Sequence, residues 1–430
     1  MEYLIIGAAN SGIAAYNLLK SENNRVFLYD DFLGEKLNLL PLLSKDEAKK
    51  IIQKGNDNNL NLVVSPGVSN EHWAIKMAKP KGLAILSELD IALKRYLGRI
   101  IAVTGTNGKS TVCAMIKHIA DQAKIDSSLC GNFGVPLCDL ILKQSAMSTL
   151  VLELSSYQLE QSAKIYPSLA IFTSFAPDHL DRHKSIENYF QAKWQLFAGL
   201  NDTPFIFSES AYKAYKEFVK KPTNEQNFHV LTAKKIDSFA QKYPLLPKSR
   251  IFNGTVSAMA MHLAFDLDLD FCFNALLSYK ELPHRLQSVG EKHGFIFIDD
   301  SKATNVEATL HALGQMHEPV YLLLGGLGKG ESFLPLLNHK KHIAKVFAYG
   351  DAREQIAKEL VSVFDVVCQE RFEDIVYAIF KDFNLNHKTV LMSPACASLD
   401  QFKNYAERGD FFGDFITPLP ILLGEFIGDE

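Results

Sequence analysis

Short apolar runs alternate with amphipathic stretches along the chain, and this alternation indicates βα units with parallel sheets. Residues 1–95 open with the strand pattern EYLIIG, a glycine-containing turn, a helical pattern over Ile13–Leu19 and the strand pattern RVFLYD. The runs NLVVSPG and AILSELD predict two more strands ending in turns. This part of the chain therefore predicts a first α/β unit.

The same alternation predicts two further units. The second opens with RIIAVTG at 99–105 and a helix from Ser110, and it extends to about Leu282, with no clear element order between 220 and 250. The third follows PHR with the strands GFIFID, PVYLLLGG, KVFAYGD and TVLMSP, each preceding a helical pattern. We therefore predict an α/β protein of three domains, with boundaries at 1–95, 96–284 and 285–430.

Composition agrees with this division and narrows the functional classes. A length of 430 residues suits about three domains. Hydrophobic residues at 47% and charged residues at 22% exclude a disordered or collagen-like chain. The net charge of −4 gives no basic footprint for nucleic acid. We expect small-molecule substrates, with neither a nucleic acid nor a membrane as partner.

The cysteines and the N-terminus indicate the compartment. No CxxC pair occurs, so we expect reduced, buried thiols. The cysteines are Cys113, Cys130, Cys138, Cys272, Cys368 and Cys396. The apolar N-terminus carries Glu2 where a signal peptide has positive charge, and no apolar run approaches the roughly 18 residues of a membrane span. These features predict a cytoplasmic protein, which we expect to be a monomer.

The strongest single motif is AVTGTNGKST at 102–111, where a buried strand enters a glycine-rich turn and leaves as a helix. Backbone N–H groups in such a turn, with the helix N-terminus, form an anion site. Lys109 would neutralise phosphates and Ser110 would offer its hydroxyl to Mg²⁺. Val103 stands where the longer form of this loop has a glycine, yet the context favours ATP binding.

Acidic residues follow two neighbouring predicted strands. Glu153 ends the run TLVLE, where a carboxylate is costly unless it is paired or binds metal. The run LAIFTSFAPDHLDRH places Asp178, His179, Asp181 and His183 beyond another strand. The HxxxH spacing alone suggests zinc or a charged surface loop. With a phosphate loop nearby, a Mg²⁺-associated loop is favoured over both.

Seven spaced motifs resemble the Mur ligase family of ATP-dependent amide-bond-forming enzymes. They are GTNGKST, GNFGVP, LELSSYQLE, DHLDRH, PHR, DSKATN and SPACASLDQF, in that order across essentially the whole chain. The resemblance implies a Rossmann-like N-terminal domain for a UDP-sugar, a central P-loop ATPase-type domain with a parallel or mixed sheet, and a Rossmann-like C-terminal domain for an amino acid. It implies addition of D-glutamate to UDP-N-acetylmuramoyl-L-alanine through an acyl phosphate, with release of ADP and phosphate in peptidoglycan synthesis.

The resemblance also assigns roles to individual residues. Those expected to bind ATP are Gly105, Thr106, Asn107, Gly108, Lys109, Ser110, Thr111, Asn253, Arg285 and Asp300. Those expected to contact the UDP-sugar or D-glutamate are Ser11, Gly12, Asp30, Asp31, Asn132, Ser155, Thr304, Lys329, Ser398 and Tyr405. Two Mg²⁺ ions would be held by Ser110, Glu153, His179 and Lys193, and the catalytic set would be Lys193, His179, Lys302 and Arg285.

Two of these assignments depend strongly on the resemblance. The helical pattern around Lys193 favours a solvated lysine, whereas the family places a CO₂-carbamylated lysine there. Ser398 and Tyr405 are seven residues apart, which predicts two turns along one helix face. Lys329 follows a glycine-rich turn and could receive an anionic group, or the turn could be a second, spurious phosphate loop.

Several positions depart from the family pattern. The turn GAANSG has alanine where a dinucleotide fingerprint has its second glycine, although a pyrophosphate could be held around Asn10, Ser11 and Gly12. Leu327 replaces the acidic residue of GGDGK, and Gln287 replaces the glutamate of PHRxE. The adenine-contacting motif is reduced to FNGTVSA, and Tyr405 stands where phenylalanine is common.

Other functional classes remain open at this point. Asp30, 18 residues after Gly12, suggests a nicotinamide-dependent oxidoreductase, but the broken fingerprint and the separate GKS loop argue against it. A nucleotide-gated binding protein would leave Glu153 and the histidine loop unexplained. Within the family, rivals add L-alanine, diaminopimelate or lysine, or glutamate to folate. The missing Asp-Asn-Pro-Arg signature, the first domain and the Ser398–Tyr405 stretch favour D-glutamate.

Overall fold

The computed structural model describes residues 1–32, 41–143, 149–200, 202–220, 225–292, 294–381 and 389–416. The chain divides into two compact units. Unit 1 comprises Met1–Phe175 and Glu187–Tyr279, and unit 2 comprises Ala176–Ile186 and Lys280–Glu430. Both units are α/β, which confirms the predicted fold class. The three domain boundaries stay predictions.

The secondary structure follows the predicted alternation. In chain order the strands are β1 (Glu2–Ile6), β2 (Arg25–Tyr29), β3 (Leu60–Val64), β4 (Ala84–Leu86), β5 (Ile100–Thr104), β6 (Ser127–Gly131), β7 (Thr149–Glu153), β8 (Leu169–Phe172), β9 (Phe205–Ser208), β10 (Phe228–Leu231), β11 (Gln287–Lys292), β12 (Phe295–Asp299), β13 (Val320–Gly325), β14 (Ile343–Tyr349), β15 (Val366–Cys368) and β16 (Thr389–Ala395). The α-helices are α1 (Asn10–Ser21), α2 (Lys45–Lys54), α3 (Trp73–Ala78), α4 (Glu88–Leu93), α5 (Lys109–Gln122), α6 (Leu137–Lys143), α7 (Ser156–Gln161), α8 (Leu180–His183), α9 (Ile186–Trp194), α10 (Glu209–Phe218), α11 (Ala233–Lys242), α12 (Lys248–Phe265), α13 (Leu269–Leu276), α14 (Val306–Leu313), α15 (Arg353–Leu360), α16 (Phe372–Lys381) and α17 (Tyr405–Ile416).

Unit 1 contains two sheets whose strands are all parallel. The first has the order β2-β1-β3-β4 and the second the order β10-β9-β8-β5-β7-β6. The stretch AILSELD is a strand only as far as Leu86, because the Ser87 side chain caps α4 in a capping box with Asp90. Because parallel strands expose their carboxyl ends at one edge, ligands of such sheets bind there.

An aromatic cluster fixes α9 against the second sheet of unit 1. The ring of Phe172, at the end of β8, stacks on that of Phe190 with centres 6.1 Å apart, and Phe190 stacks on Trp194 at 5.8 Å. Phe190 and Trp194 lie on α9 on either side of Lys193. The burial of these rings therefore also sets the position of the lysine.

Unit 2 contains a sheet of order β11-β12-β16-β13-β14-β15, in which only β11 is antiparallel to its neighbour. The sequence patterns do not predict β11, because Gln287–Lys292 is polar and only partly covered at the sheet edge. Every residue of the central strand β13 is buried, as its apolar run predicts.

The structure also bears on two expectations from the sequence, which concern the cysteines and membrane-spanning helices. All six cysteines are unpaired, and five are buried as predicted, but Cys368 is exposed because it ends the short edge strand β15. None of the described helices combines the length and apolar character needed to cross a bilayer.

Candidate active site

The predicted phosphate loop spans Gly105–Gly108 between β5 and α5, and its shape depends on glycine. Gly105 has φ of 152° and Gly108 has φ of 83°, a region in which L side chains are strained. A Cβ at Gly105 would lie 2.0 Å from Thr173 Oγ1. Strand, glycine turn and helix therefore follow one another as the motif requires, and phosphate binding there stays a prediction.

Two hydroxyl residues beyond β8 hold this loop, and the sequence analysis did not single them out. Thr173 Oγ1 donates to the Asn107 carbonyl oxygen at 2.6 Å and lies 3.2 Å from that of Thr104. Ser174 Oγ accepts from Asn107 N at 2.8 Å, and the Ser174 carbonyl accepts from Thr106 N at 2.8 Å. Their adjacency to a buried strand end in LAIFTS is the signal that could have identified them.

The predicted lysines Lys109 and Lys193 both lie against the loop backbone. Lys109 Nζ donates to the carbonyl oxygens of Gly105 at 2.9 Å and Thr106 at 2.8 Å. Lys193 Nζ donates to the same Gly105 oxygen at 2.8 Å and lies 4.6 Å from the centre of the Tyr189 ring. Lys193 is only 1% exposed, so the solvated lysine that its sequence pattern favours is wrong.

The other predicted ATP-binding residues of unit 1 surround the same turn. Ser110 and Thr111 are buried in the first turn of α5. On α12, Asn253 Oδ1 lies 3.0 Å from the position that a Cβ at Gly108 would occupy. The reduced motif FNGTVSA therefore still places an amide beside the loop.

Glu153 ends β7 next to β5, where its register partner is Val103. The side chain is 1% exposed, and its Oε1 accepts from Asn132 Nδ2 at 2.6 Å. Its Oε2 is buried and has no hydrogen-bond partner among the described residues. Ser155 caps α7, with its Oγ accepting from Gln158 N at 3.2 Å. A buried carboxylate with one unsatisfied oxygen suits a cation ligand.

The N-terminal turn is tightly packed at the edge of the first sheet. A Cβ at Gly12 would lie 1.9 Å from the Gly7 carbonyl oxygen, so only glycine allows α1 to approach β1 this closely. Asp30 accepts from Ala8 N at 2.7 Å through Oδ2 and from Phe32 N at 2.8 Å through Oδ1. Ser11 is half-buried in the first turn of α1. Asp30 therefore stabilises the turn itself.

Asp31 forms a separate polar group with His72, which the sequence analysis missed. Asp31 Oδ1 accepts from the Tyr29 hydroxyl at 2.7 Å, and its Oδ2 lies 2.7 Å from His72 Nε2. Burial opposes ionisation of this carboxyl group, but the contacts with Tyr29 and His72 hold the pKa of Asp31 below its ordinary value. Burial and Asp31 together raise the pKa of Tyr29 to about 12.

Unit 2 contains a buried ion pair between two of the motif segments. Lys329 Nζ lies 2.9 Å from Asp178 Oδ1 and 3.5 Å from Thr304 Oγ1. Asn305 Nδ2 donates to Asp178 Oδ2 at 3.1 Å. Burial opposes ionisation of Asp178, but the Lys329 and His179 charges lower its pKa. DHLDRH, DSKATN and the glycine turn of Lys329 therefore meet within unit 2.

The two histidines of DHLDRH lie in the same unit. His179 adopts a left-handed backbone conformation with φ of 54°, and its backbone N–H donates to Asp178 Oδ1 at 2.8 Å. His183 is buried. Within the described ranges, no three His, Cys, Asp or Glu side chains gather as a candidate metal cluster.

Asp300 is buried beside the PHR segment. Its Oδ2 accepts from Ser393 Oγ at 2.7 Å, and its Oδ1 accepts from Leu286 N at 3.3 Å. Burial raises the pKa of Asp300 to about 7, although the Ser393 and Leu286 hydrogen bonds and the half-buried Arg285 oppose the shift. Gln287 Oε1 accepts from His284 N at 2.9 Å, so the replacement of glutamate at this position keeps an acceptor.

Lys302 and Tyr405 are in contact, but Ser398 and Tyr405 do not share a helix. Lys302 Nζ lies 3.9 Å from the centre of the Tyr405 ring. Ser398 is buried in a turn before α17, which begins only at Tyr405 because Asn404 Oδ1 caps Glu407 N at 2.9 Å. The predicted arrangement of two turns along one face is therefore wrong.

Arg408, which the sequence analysis missed, joins several of these segments. It is fully buried, and its guanidinium donates to Ser301 Oγ at 2.9 Å, the Ser301 carbonyl at 2.8 Å and the Cys396 carbonyl at 3.2 Å. Ser301 Oγ in turn donates to the Tyr405 carbonyl at 2.7 Å. Leu327, at the position of the family's acidic residue, pairs through its backbone with Ala397 and is 39% exposed.

Comparison with known proteins decides the family. The Mur ligase middle domain matches residues 103–261. The chain is 32% identical to a UDP-N-acetylmuramoylalanine--D-glutamate ligase of Protochlamydia amoebophila, over 95% of this chain and 96% of that protein. Its identity to the protein of the same name in Caldicellulosiruptor bescii is 30%, over 97% of each. The chain belongs to the Mur ligase family.

This Mur ligase also shares its fold with solved structures. One is a UDP-N-acetylmuramate-alanine ligase from Thermotoga maritima, with a TM-score of 0.56 and 16% identity over 97% of this chain and 99% of that one. Another is a murein peptide ligase from Psychrobacter arcticus, with a TM-score of 0.54 and 15% identity over 95% and 98% of the two chains. Its membership of the Mur ligase family, shown by the sequence relatives, makes the protein an ATP-dependent ligase, and enzymes of this family typically require Mg²⁺.

Proposed function

We propose that this Mur ligase adds D-glutamate to UDP-N-acetylmuramoyl-L-alanine in peptidoglycan precursor synthesis. The observation that carries the proposal is the near full-length similarity to relatives named UDP-N-acetylmuramoylalanine--D-glutamate ligase. A carboxylate oxygen of the UDP-sugar substrate would attack the γ-phosphorus of ATP, and ADP would leave. The D-glutamate amine would then attack the acyl phosphate, lose a proton and expel phosphate. The cytoplasmic location and monomeric state stay predictions.

For this reaction the protein mainly has to position the substrates and neutralise their charge, since every substrate is an anion. In unit 1, the N–H groups of Gly105–Gly108 and the Lys109 ammonium would hold the ATP phosphates. The carbonyl contacts of Lys109 show that its ammonium can reach the loop backbone. Asn132 and Ser155, which adjoin Glu153, would contact the activated carboxylate.

The donor set of unit 1 also suits the implied metal ion. The Ser110 hydroxyl and the Glu153 carboxylate are oxygen ligands of the kind Mg²⁺ prefers, and the unsatisfied Glu153 Oε2 supports this assignment. When bound, Mg²⁺ neutralises phosphate charge. A second ion with a carbamylated Lys193 among its ligands is part of the proposal, and His179 of unit 2 stays a predicted metal ligand. The burial of Lys193 at the loop supports a role for this side chain.

In unit 2, we propose that Arg285 and Asp300 bind ATP and that Lys302 is a catalytic residue. Thr304, Lys329, Ser398 and Tyr405 would bind D-glutamate. The contact of Lys302 with the Tyr405 ring and that of Lys329 with Thr304 support two pairs of substrate-binding side chains.

One assay tests the proposal. Phosphate release from ATP is measured with Mg²⁺ and UDP-N-acetylmuramoyl-L-alanine, and D-glutamate is compared with L-glutamate, L-alanine and diaminopimelate. We expect release with D-glutamate and little with the other acceptors. Release with another acceptor but not with D-glutamate would overturn the proposed specificity.

A further inference from the structure

Glu331 lies in the glycine turn two residues after Lys329, and it is not among the residues to which the family resemblance assigns a role. Its Oε2 accepts from Val306 N, at the first residue of α14, at 3.1 Å. Its backbone carbonyl accepts from Gln355 Nε2 at 2.9 Å. The backbone and the side chain of Glu331 are therefore both anchored, and the carboxyl group joins the Lys329 turn to the start of α14.

This connection fixes the distance between two predicted substrate-binding groups. Thr304 lies two residues before Val306, just as Lys329 lies two residues before Glu331. Lys329 Nζ lies 3.5 Å from Thr304 Oγ1. The hydrogen bond from Val306 N to Glu331 therefore lies beside the contact of Lys329 with Thr304 and joins the same two segments, which holds the ammonium beside the hydroxyl.

The electrostatics of Glu331 agree with such a role. Burial and the negative charge of Asp178 raise the pKa of Glu331, although Val306 N–H and Lys329 oppose the shift. A neutral carboxyl group is therefore favoured beside Asp178. Because this carboxyl group is neutral, it does not compete with Asp178 or with a substrate for the positive charge of Lys329. It also adds no negative charge that would repel an anionic substrate.

We propose that Glu331 is a positioning residue that holds Lys329 and Thr304 together as a binding pair for a carboxylate of the amino-acid substrate. This inference rests on the proposed D-glutamate ligase function. It also bears on the departure at Leu327, because Glu331 supplies a carboxyl group within the same turn four residues after the position of the missing acid.

The test measures the KM for D-glutamate, ATP and UDP-N-acetylmuramoyl-L-alanine in matched variants. Glu331→Ala should raise the KM for D-glutamate about tenfold, the size expected for one lost positioning hydrogen bond, and leave the other two unchanged. Glu331→Gln keeps a neutral group with an oxygen for Val306 N, so its KM should stay within about twofold of the wild type. Glu359→Ala is the control, because Glu359 anchors Ser332 and Phe333 of the same segment at 2.8 and 2.6 Å.

The outcomes separate the inference from the proposed function. An unchanged KM for D-glutamate in Glu331→Ala, or an equal rise in all three KM values, overturns the positioning role. So does a rise in Glu359→Ala as large as that in Glu331→Ala. If Glu331→Ala does not fold, Glu331→Asp serves instead, and its shortened side chain should raise the same KM. If the wild type releases no phosphate with D-glutamate, the proposed function itself fails.

Discussion

The lysines of the two units have different partners. In unit 1, Lys109 and Lys193 both donate to the neutral carbonyl oxygen of Gly105. In unit 2, Lys329 is paired with the buried carboxylate of Asp178. An ammonium that loses a carbonyl acceptor loses a modest net stabilisation, whereas a buried carboxylate that loses its cation is strongly destabilised. The fold of unit 2 therefore depends on the charge of its lysine.

The largest expected effect is on the phosphate loop. Lys109→Met should lower ATP-dependent phosphate release by about a thousandfold or more, because the charge on the transferred phosphoryl group is no longer neutralised. The free energy of unfolding, measured in urea, should fall less than in Lys329→Met, since Lys109 Nζ donates to two neutral carbonyl oxygens. Lys117→Met, on the same helix in a surface pair with Asp121, is the control. A loss of stability of about 3 kcal/mol in Lys109→Met would contradict the comparison.

Lys193→Ala should lower activity by about a hundredfold, because the proposed carbamate ligand is lost. Short-chain carboxylic acids should restore part of the rate by supplying the missing carboxylate. Lys164→Ala is a matched control, since Lys164 Nζ also donates to a carbonyl, that of Gly199 at 3.0 Å, and lies 5.3 Å from a tyrosine ring centre. Unchanged activity in Lys193→Ala would remove the carbamate proposal.

Lys329→Met should destabilise unit 2 by about 3 kcal/mol, because it leaves the Asp178 carboxylate buried without its cation. Adding Asp178→Asn should restore most of the stability, but not the binding of D-glutamate. Urea unfolding of the single and double variants measures the recovery. In the control Lys345→Met, the partner Asp365 is 69% exposed, so little stability should be lost. If the double variant is no more stable than Lys329→Met, the ion pair is not what stabilises this region.

The smallest expected effect concerns the buried carboxyl group of Glu88 in unit 1. Glu88 Oε1 accepts from the backbone N–H of Cys138 at 2.6 Å, and burial raises the pKa of Glu88 to about 7. The folded protein keeps this proton up to about pH 7, whereas the unfolded chain releases it near 4.5. The free energy of unfolding should therefore fall by about 2 kcal/mol as the pH rises through this window.

Glu88→Gln should remove that slope, because the amide does not titrate. Urea unfolding between pH 5 and 8 measures the difference between variant and wild type. Glu71→Gln, at an exposed position paired with Lys76, should leave the slope unchanged. Parallel curves for the wild type and Glu88→Gln would show that ionisation of Glu88 does not oppose folding.

The features that the sequence predicted are those with a local physical cause. The buried strands β5, β7 and β13 are apolar runs, and the phosphate loop needs glycine at Gly105 and Gly108 for its backbone angles. Burial and dihedral preference act within a few residues, so a single sequence carries their signal. The α/β class and the motif-bearing strand ends follow from that signal.

The features that the sequence missed depend on distant partners or on competing local contacts. Lys193 appeared solvated because its partner, the Gly105 carbonyl oxygen, lies 88 residues away in the chain. The prediction that Ser398 and Tyr405 share a helix is wrong because Asn404 caps α17, so this helix begins later than the spacing suggests. The partners that make Arg408 and Glu331 important, Ser301 and Val306, lie 107 and 25 residues away in the chain. No periodicity could connect them.

Unit 2 is discontinuous in the chain, since Ala176–Ile186 belongs to it together with Lys280–Glu430. Asp178 and Lys329 are 151 residues apart. During synthesis from the N-terminus, Asp178 therefore emerges well before the lysine that compensates its charge. The segment around Asp178 therefore stays exposed to solvent until the later strands of unit 2 form. By the same logic, a fragment that starts at Lys280 would fold, if at all, without the carboxylate that Lys329 and Asn305 contact.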